Sequence, residues 1–91
     1  MPQEIRNQQA LIVKVISRDG ILFDATADSI TSYNDQGLFD VLSMHTNFIS
    51  IIHKEIILRR AQVITNRMPI TTGILIVKAN RVEVYLGILH D

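Results

Sequence analysis

Apolar and polar residues alternate along much of the chain, which is typical of β-strands whose two faces differ. Residues 11 to 16 follow this pattern, with Lys14 on the face opposite one apolar set. An Asp-Gly pair at Asp19 and Gly20 then leads into the apolar run Ile21-Leu22-Phe23. The pattern predicts a β-hairpin over residues 10 to 24.

The middle of the chain predicts further strands separated by turns. Alternation between residues 27 and 33 ends at the polar turn Asn34-Asp35-Gln36-Gly37. Residues 38 to 42 are interpreted as a short strand, and residues 43 to 47 as a loop. Residues 48 to 64 fit helical and strand spacing about equally well, and their high isoleucine content favours strands.

The last third of the chain predicts a C-terminal hairpin. Met68-Pro69 and Thr72-Gly73 are interpreted as breaks before the apolar run of residues 74 to 77. Asn80-Arg81 is a candidate turn, and alternation resumes over residues 82 to 87. The whole pattern predicts an all-β fold, a two-sheet β-sandwich of about ten short strands or a small barrel.

Composition supports one β-rich domain. Of 91 residues, 28 are the β-branched Ile, Val and Thr, and 47% are hydrophobic, so disorder is excluded. We expect a flexible N-terminal lead at residues 1–9 and a single domain at residues 10–91. The absence of cysteine excludes disulfides and fits an intracellular protein, and no apolar run is long enough to insert in a membrane.

The balance of charge argues against nucleic-acid binding. The formal net charge is zero, although residues 1 to 45 are acidic and residues 46 to 91 are basic. The basic segment from His53 to Arg60 could face a membrane surface or a nucleic acid, but it is better explained as an ordinary strand with polar ends. No nucleic-acid partner is therefore expected.

The chain offers little to build a catalytic or metal site. No phosphate-binding glycine loop or nucleophile motif occurs. His45 and His53 are best interpreted as structural histidines. Asp24 and Asp28, four residues apart on a strand, would be about 13 Å from each other, too far to share acid-base chemistry. We expect no catalytic residue, no cofactor and no metal.

The adjacent apolar residues after Gly37 indicate an interface. In an alternating strand only one of Leu38 and Phe39 can point into the core. Phe39 has the larger apolar area and is assigned inward, which leaves Leu38 outward beside Asp40. An exposed leucine with an acidic rim is the composition of a small contact surface.

The run from Gly37 to Ile49 resembles the glycine-to-histidine segment of the epsilon subunit of F-type ATP synthase, whose mitochondrial equivalent is named delta. Leu11 to Phe23 resembles that family's opening hairpin, and Ile30 to Gly37 resembles its following strand and turn. Thr72 to Val77 resembles its Ser-Gly-Gly turn and strand, and Asn80 to Leu86 its last sandwich strands. The resemblance covers essentially residues 10 to 88 and implies a ten-stranded sandwich.

The resemblance implies a non-catalytic rotor subunit of the central stalk of a proton-translocating ATP synthase. The chain would couple the gamma subunit to the membrane rotor ring, within a peripheral complex on the cytoplasmic face of the inner (plasma) membrane. It implies that Asn34, Asp35, Gln36, Gly37, Leu38 and Asp40 face the ring. It also implies that His45 and Thr46 lie near gamma.

Two departures from the family pattern bear on this expectation. Ser43-Met44 stands where the family commonly has Pro-Gly, so the loop before His45 can take another conformation. The sequence ends at Asp91, where the family usually continues into an inhibitory two-helix hairpin, which implies coupling without self-inhibition. The alternative function is a free-standing β-sandwich adaptor or a regulatory ligand-binding module, since fold alone does not decide function.

We predict that the chain neither binds ATP tightly nor hydrolyses it, because it has no phosphate loop and the family's nucleotide binding depends partly on the helical hairpin. Titration calorimetry of the purified chain with ATP should show no saturable heat. Binding in the micromolar range would contradict this expectation.

Overall fold

Seven β-strands fill residues 10–87, the part of the chain that the structure, a computed structural model, describes. The strands are β1 (Leu11–Ser17), β2 (Gly20–Ala27), β3 (Ser29–Asn34), β4 (Gly37–Leu42), β5 (Phe48–Arg60), β6 (Val63–Lys78) and β7 (Arg81–Leu86). The described residues include no helix that could cross a membrane. The flexible lead predicted at residues 1–9 lies outside them, as do residues 88 to 91 of the predicted domain.

The strands form one hydrogen-bonded sheet in the order β2-β1-β7-β6-β5-β3-β4. Neighbouring strands are antiparallel except β1 and β7, which are parallel. The first half of β5 and the second half of β6 form one half of the sheet together with β7, β1 and β2. The second half of β5 and the first half of β6 form the other half of the sheet with β3 and β4. Register shifts near Lys54 and Arg59 interrupt the β5–β6 ladder. Such bulges bend the strands and increase their twist.

The core lies between the two halves of this sheet. The core is one cluster of buried residues from both halves of the sheet. From the first half it includes Leu11, Val13 and Val15 of β1 and the inward-facing residues of β6 and β7, and these contact buried residues of β3, β4 and β5. The members from that second half of the sheet are Ile30, Val41, Ile56 and Leu58. A flat sheet could not bring these residues into one cluster, so the sheet folds over on itself. The all-β prediction is confirmed, with the sandwich built from one continuous sheet.

The predicted count of about ten short strands is wrong, because β5 and β6 run unbroken for 13 and 16 residues. Met68-Pro69 and Thr72-Gly73, interpreted as breaks, both lie inside β6. Within the described residues, β7 pairs with β6 only from Gly73 to Lys78. The upstream part of β6 is therefore an edge of the sheet formed by residues 10–87, where a proline without an N–H costs no ladder bond.

Most predicted strands and hairpins are confirmed. The first hairpin turns at residues 18 and 19, and its second strand extends to Ala27. The ambiguous residues from 48 onward form a strand, as their isoleucine content favoured. In the last hairpin the turn lies at Ala79 and Asn80, which have φ angles of 50° and 65°, one residue earlier than predicted.

Gly73 lets β7 approach β6 closely, and its replacement provides a test of this packing. A Cβ atom there would lie 2.7 Å from Leu86 Cδ2 and 3.1 Å from the Tyr85 carbonyl oxygen. Leu86 can rotate away, but the backbone carbonyl cannot move without disturbing the ladder. We predict that Gly73→Ala lowers the free energy of unfolding by about 1–3 kcal/mol, measured by urea denaturation. An unchanged midpoint would show that the strands separate easily here.

Candidate functional site

The turn between β3 and β4 projects from one end of the sandwich. Asn34 and Gly37 form the last pair of the ladder, and Asp35 and Gln36 connect them. The Gln36 N–H donates to Asn34 Oδ1 at 2.9 Å, which closes the turn from within. Gly37 has a φ of +115°, a conformation that other residues rarely adopt. The sequence therefore places its glycine where the backbone requires it.

Two side-chain contacts tie this turn to β5. Asn34 Nδ2 donates to Ser50 Oγ at 3.2 Å. Asp35 Oδ1 lies 3.4 Å from His53 Nε2, although the Asp35 side chain is 97% exposed. Because surface pairs of this kind contribute little to stability, Asp35 is held loosely and its carboxylate stays available to a partner.

Leu38 and Phe39 face the directions predicted from alternation and from the larger apolar area of Phe39. The Leu38 side chain is 59% exposed and lies opposite Tyr33 of β3. Phe39 packs against the core and makes an edge-to-face contact with Phe48, with ring centroids 5.5 Å apart. An exposed leucine next to an inward phenylalanine contributes little to the fold, which leaves Leu38 available for contact.

Asp40 lies on the same face of β4 as Leu38, two residues along the strand. Its Oδ1 accepts a hydrogen bond from the Thr31 hydroxyl of β3. The same hydroxyl accepts a hydrogen bond of 2.8 Å from Arg59 Nη1 of β5. The three side chains connect three neighbouring strands, so Asp40 braces the face that carries Leu38 while remaining exposed.

His45 and Thr46 lie at the opposite end of β4 from the turn. The six residues of β4 separate the two ends by about 17 Å at roughly 3.3 Å per residue. His45 Nδ1 lies 2.7 Å from the Thr46 carbonyl oxygen, and its ring packs edge-to-face on Phe48. The Met44 N–H donates to Asn80 Oδ1 at 2.7 Å, which ties this loop to the β6–β7 turn. The residues implied for the two partners are thus not brought together.

An apolar patch on the outer side of the sheet was not anticipated. We name it the outer isoleucine face, and it consists of Ile49 and Ile51 of β5 with Ile74 and Ile76 of β6. Ile49 pairs with Ile76 and Ile51 with Ile74, so all four side chains point the same way. Ile49 is 66% exposed and Ile51 is 50% exposed. The sequence signal was the unbroken apolar runs 48–49, 51–52 and 74–77, which are apolar on both faces.

A polar group borders the outer isoleucine face on β7. Glu83 pairs with Ile76, and Tyr85 pairs with Ile74. The Tyr85 hydroxyl donates to Glu83 Oε1 at 2.6 Å, and this hydrogen bond raises the pKa of Tyr85 above its ordinary value. A shallow cleft of about 260 Å³ lies beside them, lined by Ile76, Lys78, Ala79, Arg81 and Glu83. An apolar patch with a polar border suits a protein contact.

The basic segment from His53 to Arg60 forms part of β5, as the simpler interpretation expected. Its arginines have partners within the chain. Arg59 donates to Thr31, and Arg60 Nη1 donates to Thr26 Oγ1 at 2.6 Å. Lys54 Nζ lies 4.7 Å from the centre of the Tyr33 ring. Among residues 10–87, no group of three or more His, Cys, Asp or Glu is placed to hold a metal ion.

Comparisons with known proteins agree on the fold. The family profile of the ATP synthase delta/epsilon chain, β-sandwich domain, matches residues 10–87. A chain of the Euglena gracilis mitochondrial ATP synthase structure (OSCP/F1/c-ring) has a TM-score of 0.77 at 15% identity, over 85% of this chain and 50% of that one. A chain of the Tetrahymena thermophila mitochondrial ATP synthase central stalk and c-ring has a TM-score of 0.70 at 16% identity, over 88% of this chain and 65% of that one. No curated protein matches.

The two structural likenesses concern the fold alone, and this chain spans only half of the length of the Euglena chain and 65% of the Tetrahymena chain. The family match is broader, because it extends over every strand of the described sheet. The strand order, the buried core and this match lead to one conclusion: the chain belongs to the ATP synthase delta/epsilon family, as its β-sandwich domain.

Proposed function

We propose that this chain is a non-catalytic rotor subunit of the central stalk of a proton-translocating F-type ATP synthase. In that role it couples the gamma subunit to the membrane rotor ring within a peripheral membrane complex. Family membership supports the proposal, as does the likeness to chains from ATP synthase structures that contain a central stalk and a c-ring.

The observation that carries the proposal is the presence of two separate exposed surfaces on one rigid body. One is the end of the sandwich with the Asn34–Gly37 turn and Leu38, and the other is the outer isoleucine face. A coupling subunit needs two partner-binding surfaces on one rigid domain. The close-packed core and hydrogen-bonded sheet between them provide that stiffness.

The turn end suits the rotor ring. Asn34, Gln36 and Gly37 shape the turn, Asp35 holds an exposed carboxylate at its tip, and Leu38 supplies an apolar contact next to it. Asp40 adds a second acidic group on the same face. In this proposal the acids complement basic groups of the ring's loops, and Leu38 contributes most of the apolar burial.

The gamma subunit is assigned to the outer isoleucine face together with the loop that holds His45 and Thr46. The loop ends where β5 begins at Phe48, directly before Ile49, so the loop and the outer isoleucine face are neighbours along the chain. The isoleucines offer β-branched, stiff side chains that lose little rotamer entropy on contact. Ile49 and Ile51 are the most exposed members and should contribute most on burial.

The gamma contact can be tested with a double substitution, Ile49→Ser with Ile51→Ser. Both side chains are at least half exposed, so we predict a nearly unchanged thermal midpoint and at least about a tenfold loss of co-purification with a co-expressed gamma subunit. The matched control is Val63→Ser with Ile64→Ser, which removes two exposed β-branched side chains from the β5–β6 hairpin. Equal losses in both variants would exclude the outer isoleucine face.

The ring contact can be tested with Leu38→Asp. We predict that this variant keeps its thermal midpoint and still binds gamma, but assembles poorly onto the rotor ring, as measured by recovery of the intact complex. Leu22→Asp is the matched control, because Leu22 is 56% exposed on β2. Phe39→Ala should instead destabilise the fold by about 3 kcal/mol, since its ring packs on the core. Unfolding by Leu38→Asp together with a stable Phe39→Ala would invert the assignment.

A further inference from the structure

Two cations face each other at the tip of the β6–β7 hairpin. Lys78 and Arg81 are the last pair of that ladder, with a two-residue turn between them. The preceding pair, Val77 with Val82, is buried, so alternation points both cations to the outer side of the sheet, where they are exposed. Residues directly opposite each other on antiparallel strands have Cβ atoms about 5 Å apart, so like charges there repel. This pair therefore lowers stability rather than adding to it.

The turn between the two cations also departs from the residues that its backbone favours. Ala79 and Asn80 have φ angles of 50° and 65°. Two successive residues at positive φ are typical of a type I′ turn, which prefers asparagine followed by glycine. Alanine at such a position is strained, because its Cβ atom crowds the backbone. The hairpin tip thus combines two locally unfavourable features, and functional sites are where sequences break local rules in this way.

The hairpin tip is nevertheless held in a fixed position. The Ile12 N–H donates to the Asn80 carbonyl oxygen at 2.9 Å, and the Met44 N–H donates to Asn80 Oδ1 at 2.7 Å. Asn80 thereby ties the hairpin to β1 and to the loop after β4. Because the backbone is fixed, Lys78 and Arg81 are close together before a partner arrives, which lowers the entropy cost of binding an anion between them.

Neither cation has an ion-pair partner among residues 10–87. The ion pairs in this part of the chain join His53 to Asp35, Arg60 to Asp28 and Arg67 to Glu55. Glu83, the acid two residues after Arg81, forms none of these pairs, and its carboxylate accepts a hydrogen bond from Tyr85. The cleft of about 260 Å³ beside Ile76 is lined by Lys78, Arg81 and Glu83, two cations and one acid, so its net charge is positive.

This cleft adjoins the outer isoleucine face. Ile76 belongs to both, and Lys78 follows it by two residues on the same side of β6. A partner that covers Ile76 would also reduce the hydration of Lys78 and Arg81, which is unfavourable unless the partner supplies an opposite charge. The loss of hydration therefore favours a partner with a carboxylate at this point of the contact.

We propose that Lys78 and Arg81 together bind a carboxylate of the gamma subunit at the end of the outer isoleucine face, and so fix the orientation of gamma on that face. This inference rests on the proposed rotor function and on the assignment of gamma to the isoleucines. The guanidinium of Arg81 can bind both oxygens of the carboxylate, and Lys78 adds a second positive charge. Because both charges are exposed before binding, they also speed association at low ionic strength.

The test uses the full chain co-expressed with gamma and compares recovery of the complex at about 50 mM and about 300 mM NaCl. Lys78→Gln with Arg81→Gln should lower recovery about tenfold at the lower salt concentration and remove most of its salt dependence. The matched control, Lys54→Gln with Arg67→Gln, removes one exposed lysine and one exposed arginine from the other half of the sheet. The control variant should bind gamma as the unaltered chain does.

A single substitution separates this binding role from a structural one. Lys78→Glu places opposite charges across the turn, so it should raise the thermal midpoint by about 1–5 °C. The same substitution should weaken recovery of gamma by about tenfold or more, because it places a negative charge where the carboxylate binds. A lowered midpoint would show that the two cations support the fold, and it would overturn the proposal.

Failure of this inference can be distinguished from failure of the rotor role. If the unaltered chain does not bind gamma, the proposed function fails and this inference fails with it. If the unaltered chain binds gamma, Ile49→Ser with Ile51→Ser does not, and Lys78→Gln with Arg81→Gln binds normally at both salt concentrations, only this inference fails. It also fails if the glutamine variant instead dissociates a dimer of the chain, measured by sedimentation, because the carboxylate then belongs to a second copy.

Discussion

The ladder between β5 and β6 is the interaction on which the rest of the structure depends. Its 13 residue pairs run through both halves of the sheet, and its two bulges let the sheet fold over its own core. The same ladder aligns the four residues of the outer isoleucine face and positions Ser50 and His53, which contact the β3–β4 turn. Loosening it would disturb the core and both proposed contact surfaces together.

Much of the fold could be predicted because most strands have one solvent-exposed face and one buried face. Burial alternates along the start of β1, which buries Leu11, Val13 and Val15 and leaves Ile12 exposed and Lys14 partly exposed. The prediction failed where local signals competed with tertiary structure. Pro69 and Gly73 indicate breaks in isolation, yet Pro69 lies on the part of β6 that has no second neighbour among residues 10–87, and Gly73 makes room for Leu86. Neither circumstance can be read from adjacent residues.

The candidate site was predictable to the same extent and for the same reason. Alternation together with the larger apolar area of Phe39 was enough to point Leu38 outward and Phe39 inward. The outer isoleucine face was missed because strands that are apolar on both faces do not alternate. The contact of Asp35 with His53 depends on β3 lying beside β5, and the separation of His45 from the turn depends on the direction of β4. These distances depend on which strands pair, and the pattern of neighbouring residues does not specify that pairing.

The parallel pairing of β1 with β7 has a mechanical consequence. These two strands, the first and the last among residues 10–87, lie side by side through five residue pairs, from Ile12 with Arg81 to Ile16 with Tyr85. Because they run in the same direction, the chain enters at one end of the pair and leaves at the other. A pull on the start of β1 and the end of β7 therefore loads all the hydrogen bonds of this pair in shear, rather than breaking them one after another. The sheet should resist stretching along the line from the start of β1 to the end of β7.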